Sequence, residues 1–211
     1  MIDMQNNSLM SYYGKLITNY LDSVDIEMTD HEDGRIQSLH SEANVYNLIK
    51  DGLNEIPFVD KTGNRDFGDF AINVDGKDIP VNIKIVDPNK SDTFNAGGVS
   101  LFSYMFFGKN INGFKALATA LKSHYDSEQP KVLAEEYYYL FVFKDGSPNI
   151  FTALTDLASE ALIANPSNPL QVKTNCIKRT KRSDEETWNL LYNLFREVCR
   201  KRAEPFMNLP L

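Results

Sequence analysis

Phe67-Gly68-Asp69-Phe70-Ala71-Ile72-Asn73-Val74-Asp75-Gly76-Lys77-Asp78-Ile79-Pro80-Val81-Asn82-Ile83-Lys84-Ile85-Val86 is the stretch that decides the fold of this chain. Two short extended runs, Phe67 to Val74 and Ile79 to Val86, are joined through Asp75-Gly76. Asp-Gly between alternating segments marks a two-residue hairpin turn, because both central residues need positive φ. With that turn Val74 pairs with Lys77, and paired positions sum to 151. Asp69 then lies opposite Asn82 with Cβ atoms ~4.5–5.5 Å apart. Lys84 shares a face with Asn82, while Phe70, Ile72, Val81, Ile83 and Ile85 point the other way, towards a core. Pro80 cannot donate to a ladder and often marks an edge or bulge, and a bulge there would move the register.

Outward from the hairpin, helical and extended patterns alternate. Leu9, Tyr13, Leu16, Ile17, Tyr20 and Val24 recur at helical steps. A second helix is expected from about Ile36 to Leu53, after a polar turn at Asp30 to Gly34. Beyond the hairpin, Val99 to Phe107 reads as a buried aromatic helix, and Phe114 to Leu121 continues a helical period. Tyr137 to Phe143 reads as a central strand buried on both faces. Leu154 to Ile163 is expected as a short helix and Leu170 to Cys176 as a strand. Ser183 opens the last helix, with Glu186 completing a capping box and Trp188, Leu191, Leu194, Phe195, Val198 and Cys199 as its buried stripe. These elements predict an α/β fold with a central mixed β-sheet flanked by helices. One domain over 1–211 is expected: N-terminal helices at 1–55, hairpin and core at 65–145, and a basic segment at 165–211.

A chain of 211 residues with 42% hydrophobic and 24% charged residues is ordinary for a globular protein with a real core. No apolar run approaches the ~18 residues of a membrane span, and Met1 to Gln5 lacks the basic start of a signal peptide. Cys176 and Cys199 match no zinc spacing and no secreted disulfide framework, so a reducing cytoplasm is expected. The net charge of −7 argues mildly against nucleic acid, but its distribution argues for it. From Gln171 to Ala203 nine bases face four acids, leaving +5 there and −12 elsewhere. A basic module on an acidic body suits a protein that grips an anion with one surface.

A carboxylate, an amide and an ammonium on one side of a hairpin suit phosphodiester hydrolysis. Mg²⁺ takes few protein ligands and shares itself with substrate phosphate. It polarises the phosphoryl group and lowers the pKa of a bound water, while a nearby lysine orients that nucleophile. Spacing alone fits an exposed Asp–Lys pair on a surface hairpin at least as well, and such pairs are worth ~0–1 kcal/mol.

Gly68-Asp69-Phe70-Ala71-Ile72 followed by Val81-Asn82-Ile83-Lys84-Ile85 resembles the hairpin of the PD-(D/E)xK nuclease superfamily, and of type II restriction endonucleases within it. The resemblance implies a restriction-endonuclease-like core in which Asp69 holds Mg²⁺, helped by the carbonyl of Ile83, and Lys84 acts on the attacking water. It implies a site-specific homodimer that cuts both strands of double-stranded DNA, in a bacterial or archaeal host. Two positions depart from the family pattern. Gly68 stands where a proline is usual, and Asn82 replaces the second acid. An amide oxygen is a neutral ligand, so the missing charge falls to Glu42, Asp66, Asp78 or Asp87. The family's helical glutamate points to Glu42. A repair or recombination nuclease of the same core, and a DNA-binding module without catalysis, remain open.

DNA contacts are expected from the polar loop after the Lys84 run, with Lys90 and Asn95, and from the patch Lys178-Arg179-Thr180-Lys181-Arg182. Arg179 and Arg182 have the geometry to read guanine, and Lys173 and Asn175 extend the surface. His31, His40 and His124 form no cluster. No Walker A, dinucleotide or serine-elbow motif is present.

Overall fold

A computed structural model describes the backbone of residues 2–26, 34–60, 67–89 and 93–207, and the same side chains except those of 2–7, 34–39 and 206. Lys90, Asp66, His31 and most of the Asp30 to Gly34 turn therefore lie outside the described residues. The fold is α/β, with a mixed sheet and flanking helices, as the sequence predicts. The chain packs as two compact units, one from 1–90 and 137–154, the other from 91–136 and 155–211.

The first unit carries the hairpin. Its helices are α1 (Ile2–Ser23) and α2 (Gly34–Gly52). Its five strands are β1 (Phe58–Asp60), β2 (Phe70–Val74), β3 (Lys77–Val86), β5 (Tyr138–Phe143) and β6 (Ile150–Ala153), in the order β1-β2-β3-β5-β6. Among the described residues of this sheet, β3 and β5 pair in parallel and the other neighbours antiparallel. Asp75 and Gly76 both have positive φ, at 52° and 83°, and the register runs from Phe70↔Val81 to Val74↔Lys77 as predicted. Pro80 pairs with Ala71 within this ladder. Counting from the turn, 71/80 is a pair that exchanges no hydrogen bonds, so the Pro80 nitrogen faces away from β2. β5 begins to pair one residue later, at Val81↔Tyr138, so the missing N–H leaves no gap.

The alternation places Phe70, Ile72, Val74, Ile79, Val81 and Ile83 in one core with Val45 and Ile49 of α2 and Met10, Ile17 and Leu21 of α1. Gly14 completes the α1 stripe. A Cβ there would meet the Phe151 ring at 2.4 Å, so glycine is what lets α1 lie close on β6. The run Tyr138 to Val142 is buried throughout, which fits a strand covered on both faces.

The second unit holds the antiparallel sheet β4-β8-β7, from β4 (Thr93–Gly97), β7 (Leu162–Ala164) and β8 (Leu170–Lys173). Its helices are α3 (Val99–Phe107), α4 (Phe114–Tyr125) and α5 (Asp184–Met207). Trp188, Leu191, Phe195 and Val198 form the buried stripe of α5, whereas Leu194 and Cys199 are half-buried. The Ser183 N–H donates to Glu186 Oε2 at 2.7 Å, and the Glu186 N–H donates to Ser183 Oγ at 3.2 Å. This is the predicted capping box. Ser183→Ala is expected to cost about 1 kcal/mol, read as a lower urea midpoint with an unchanged slope.

Three local expectations are corrected. Leu154 to Ile163 is no α-helix: it makes two single 3₁₀ turns, Leu154–Asp156 and Ser159–Ala161, and then β7. Its backbone instead bonds the basic segment, with Ala158 N–H donating to the Lys178 carbonyl at 3.0 Å and Thr180 N–H to Asp156 at 2.7 Å. The strand expected over Leu170 to Cys176 stops at Lys173, and a 3₁₀ turn follows. The end of the polar loop is ordered as β4, paired with β8. Among the described residues no helix is long and apolar enough to cross a membrane.

Candidate metal and catalytic centre

Asp69 sits one residue before β2, where the chain bends. Its N–H donates to the Val81 carbonyl at 2.8 Å, and its Oδ2 accepts the Ile83 N–H at 2.7 Å. The carboxylate thus continues the ladder past the end of β2. It lies against the Asn82–Lys84 segment, though not as the simple cross-strand partner of Asn82 that an unbroken register predicts. The bend explains Gly68. Its φ is +85°, and a Cβ would come within 2.6 Å of the Val81 oxygen. Proline, fixed near −65°, has no place there. The Ile83 carbonyl shares a strand side with its N–H, so it too points beyond the end of β2, towards Asp69.

Asn82 and Lys84 project from the opposite face to Val81 and Ile83. Their parallel partners in β5 are Tyr139 and Phe141, both fully buried and stacked at 5.4 Å. Burial also holds the Tyr139 phenol far above its ordinary pKa. These rings make a dry wall beside the polar pair. Asn82 Oδ1 is buried and has no hydrogen-bond partner among the described residues. An orphaned acceptor of this kind costs ~1–3 kcal/mol unless a donor or cation meets it.

Lys84 Nζ reaches Glu42 Oε1 at 3.2 Å, with side chains only 17% and 12% exposed. Glu42 is therefore not an open surface residue. α2 presents it through a stripe of three side chains four residues apart. Glu42 meets Lys84 on β3, the Tyr46 ring stacks on Phe70 of β2 at 5.0 Å, and Lys50 bonds Asp60 of β1 at 2.6 Å. Tyr46 also donates to Asp60 Oδ1 at 2.5 Å. The Lys50 and Tyr46 hydrogen bonds hold the Asp60 carboxyl below its usual range. Of this stripe the sequence reading found only Glu42. The 42/46/50 spacing was the available signal for the rest. Of the other acids considered, Asp78 accepts from Asn73 at the hairpin, Asp87 accepts from the Asn89 N–H, and Asp66 lies outside the described residues.

Two carboxylates, a neutral amide oxygen and a main-chain carbonyl suit a hard cation with few protein ligands. No group of three or more His, Cys, Asp or Glu side chains gathers among the described residues. A cation here would depend on Asn82 and on main-chain oxygen.

The expected DNA contacts in the second unit divide. Arg179 and Lys181 are exposed, and Lys173 is half-buried on β8 opposite Thr93. Asn175 is exposed in the 3₁₀ turn. Asn95 lies on β4 and accepts from Gln171 Nε2 at 3.0 Å. Lys178 is paired with Glu160 at 2.6 Å. Arg182 turns inward: Nη2 donates to the Thr155 carbonyl at 2.6 Å, while Nε and Nη1 are buried. Burial lowers the pKa of this guanidinium. On α5, Arg200 pairs with Glu197, Lys201 donates to the Ala164 carbonyl, and Arg202 lies 4.0 Å from the centre of the Phe114 ring. Six of the nine bases, Lys178, Arg179, Lys181, Arg196, Arg200 and Arg202, are exposed, and three of those six are engaged by Glu160, Glu197 or the Phe114 ring. Arg182→Ala is expected to lower unfolding stability by roughly 1–3 kcal/mol, whereas Lys181→Ala changes it by less than ~0.5 kcal/mol. Parallel urea melts check this, and equal effects would sink the structural role of Arg182.

No protein-family model matches this chain, and no curated protein is similar to it in sequence.

Proposed function

We propose that the chain is a Mg²⁺-dependent endonuclease of double-stranded DNA, acting in the manner of a type II restriction enzyme as a homodimer. The observation that carries this reading is the convergence at the end of β2. There Asp69, the orphaned Asn82 oxygen and the Lys84–Glu42 pair surround one short stretch of β3. Asp69 and Asn82 would hold the cation with the Ile83 carbonyl, and Glu42 would complete the set. Bound there, Mg²⁺ supplies Lewis-acid polarisation of the phosphoryl group and a more acidic water. The Ile83 N–H holds one oxygen of Asp69, and the other would serve the cation. Lys84 is positioned to orient the attacking water and to offset charge on the phosphate. The Tyr139–Phe141 wall keeps bulk water from that side and strengthens both interactions.

Incubation of the protein with plasmid and phage DNA tests the reading. Discrete fragments in Mg²⁺ and intact DNA in EDTA are the expected result. Asn82, neutral where the resemblance predicts an acid, supports a second reading as a non-catalytic DNA-binding module. That reading requires intact DNA in every metal, with binding that weakens steeply as salt rises.

A further inference from the structure

Within the second unit, the start of α4, the turn after β7 and the end of α5 border a cavity of about 560 Å³. That size falls in the ~300–1,000 Å³ range of small-molecule pockets. Phe114 and Pro166 give it flat apolar walls, and Phe114 is backed by Phe195, parallel within 13° at 5.9 Å between ring centres. Lys115, Lys201 and Arg202 also line it, and among the described residues no carboxylate does. Arg202 is held at two points. Its Nη1 donates to the Pro166 carbonyl at 2.6 Å, and its guanidinium carbon lies 4.0 Å from the centre of the Phe114 ring. These contacts fix the guanidinium in place and occupy few of its five N–H groups. A planar fork fixed in advance suits an oxyanion that accepts two parallel hydrogen bonds. Lys201 donates to the Ala164 carbonyl at 3.0 Å and stands 3.8 Å from Glu197, whose carboxylate Arg200 already bonds twice at 2.8 Å. No side chain caps the start of α4, so its first amides add positive partial charge beside the cavity.

We propose that this cavity binds a small organic anion, an oxyanion head on a flat apolar body, with the head on Arg202 and Lys115 and the body against Phe114 and Pro166. The inference does not depend on the nuclease reading. A phosphate on a nucleoside and a carboxylate on an aromatic ring share this chemistry, and competition separates them. The bound anion ties α4 to α5 through Arg202, so it also raises the melting temperature.

Anilinonaphthalene sulfonate, a sulfonate on fused aromatic rings, serves as the probe and is titrated into the full chain by fluorescence. One dye per chain is expected. Arg202→Ala should weaken binding about tenfold or more, because it removes charge-assisted hydrogen bonds to the head. Arg202→Lys, which keeps the charge and loses the fork, should recover part of that loss. Arg196→Ala, an equal charge change on α5 outside the lining, should have no effect. Cys199 locates the dye, since its thiol lines the cavity. Burial raises the pKa of that thiol, so alkylation by N-ethylmaleimide is run above neutral pH and mapped by mass spectrometry. Dye at about ten times its Kd should slow labelling of Cys199 about tenfold and leave Cys176 unchanged. Thymidine monophosphate and indole-3-acetate then compete with the dye. Displacement by the first assigns a nucleotide, displacement by the second an aromatic carboxylate, and inorganic phosphate should displace neither dye nor competitor. Labelling of Cys199 that the dye does not slow overturns the proposal, as does failure of both competitors. So does protection of Cys199 by duplex DNA equal to that by the dye, or protection that grows with protein concentration alone. Those results would put DNA or a second copy of the chain in the cavity. Protection is read on wild type, so it stands whether or not a variant folds.

Discussion

Lys84→Ala is expected to lower Mg²⁺-dependent DNA cleavage by about a hundred- to a thousandfold while leaving DNA binding within a few-fold of wild type. On the proposed reading the ammonium would sit where charge develops on the phosphate, and a positioned donor of that kind acts mainly on the transition state. The substitution also leaves Glu42 half-enclosed without its cation, at 12% side-chain exposure. Stability should therefore fall by roughly 1.5–3 kcal/mol, the range for a lost hydrogen bond to a charged group. Lys84→Met retains the apolar stem and separates packing from charge. Adding Glu42→Gln to Lys84→Ala should restore part of the stability and none of the cleavage, and the double-mutant cycle gives the strength of the pair. Single-turnover cleavage and urea unfolding read the two effects independently. Cleavage that survives Lys84→Ala would remove the lysine from the chemistry altogether.

The second large effect is expected at Trp188. The indole is 1% exposed, stacked on Tyr192 at 5.1 Å and edge-on to Phe106 at 5.4 Å. Lys131 places its ammonium 5.5 Å from the ring centre while donating to carbonyls at the end of α4. Truncation removes a core ring and the platform under that lysine together. Trp188→Ala should cost about 3–5 kcal/mol, a large part of the ~5–15 kcal/mol typical of a native protein. Trp188→Phe, which keeps an aromatic face, should cost markedly less. Urea unfolding followed by circular dichroism decides it, and a loss below ~1 kcal/mol for the alanine variant would show that the surrounding rings close over the gap.

The hairpin was legible because its determinants are local. A two-residue turn with a demand for positive φ and a strict alternation of faces settle the register without reference to the rest of the chain. The last helix was legible for the same reason, through Ser183, Glu186 and the stripe that includes Trp188. Leu154 to Ile163 misled because Leu154, Leu157, Ala158, Ala161 and Leu162 are buried at helical spacing. Their burial is real, but the backbone is claimed by residues 178–180, twenty or more positions away, and no local pattern reports that. β4 was hidden because Thr93-Phe94-Asn95-Ala96-Gly97 alternates around a single large apolar residue, sits in a polar loop and gains its partner only from β8. In the candidate site, Asp69 and Lys84 were singled out by the resemblance of their two runs to a nuclease hairpin, since type and spacing alone fitted a surface pair at least as well. The orphaned Asn82 oxygen and the inward turn of Arg182 were not legible, since both depend on what surrounds a side chain and not on which side chain it is.

The stripe of Glu42, Tyr46 and Lys50 has a consequence for how this protein can change. Each residue grips a different strand, so α2 works like a key with three teeth cut at one pitch. Inserting or deleting one residue between them turns the far tooth by about 100° about the helix axis, which removes its contact and leaves the others in place. The contact with Lys84 therefore cannot migrate along α2 in single steps. Sequences that keep this architecture will keep the four-residue pitch and vary in pairs, 42 with 84, 46 with 70 and 50 with 60. The Asp75–Gly76 tip carries no such constraint and is where added length should be absorbed.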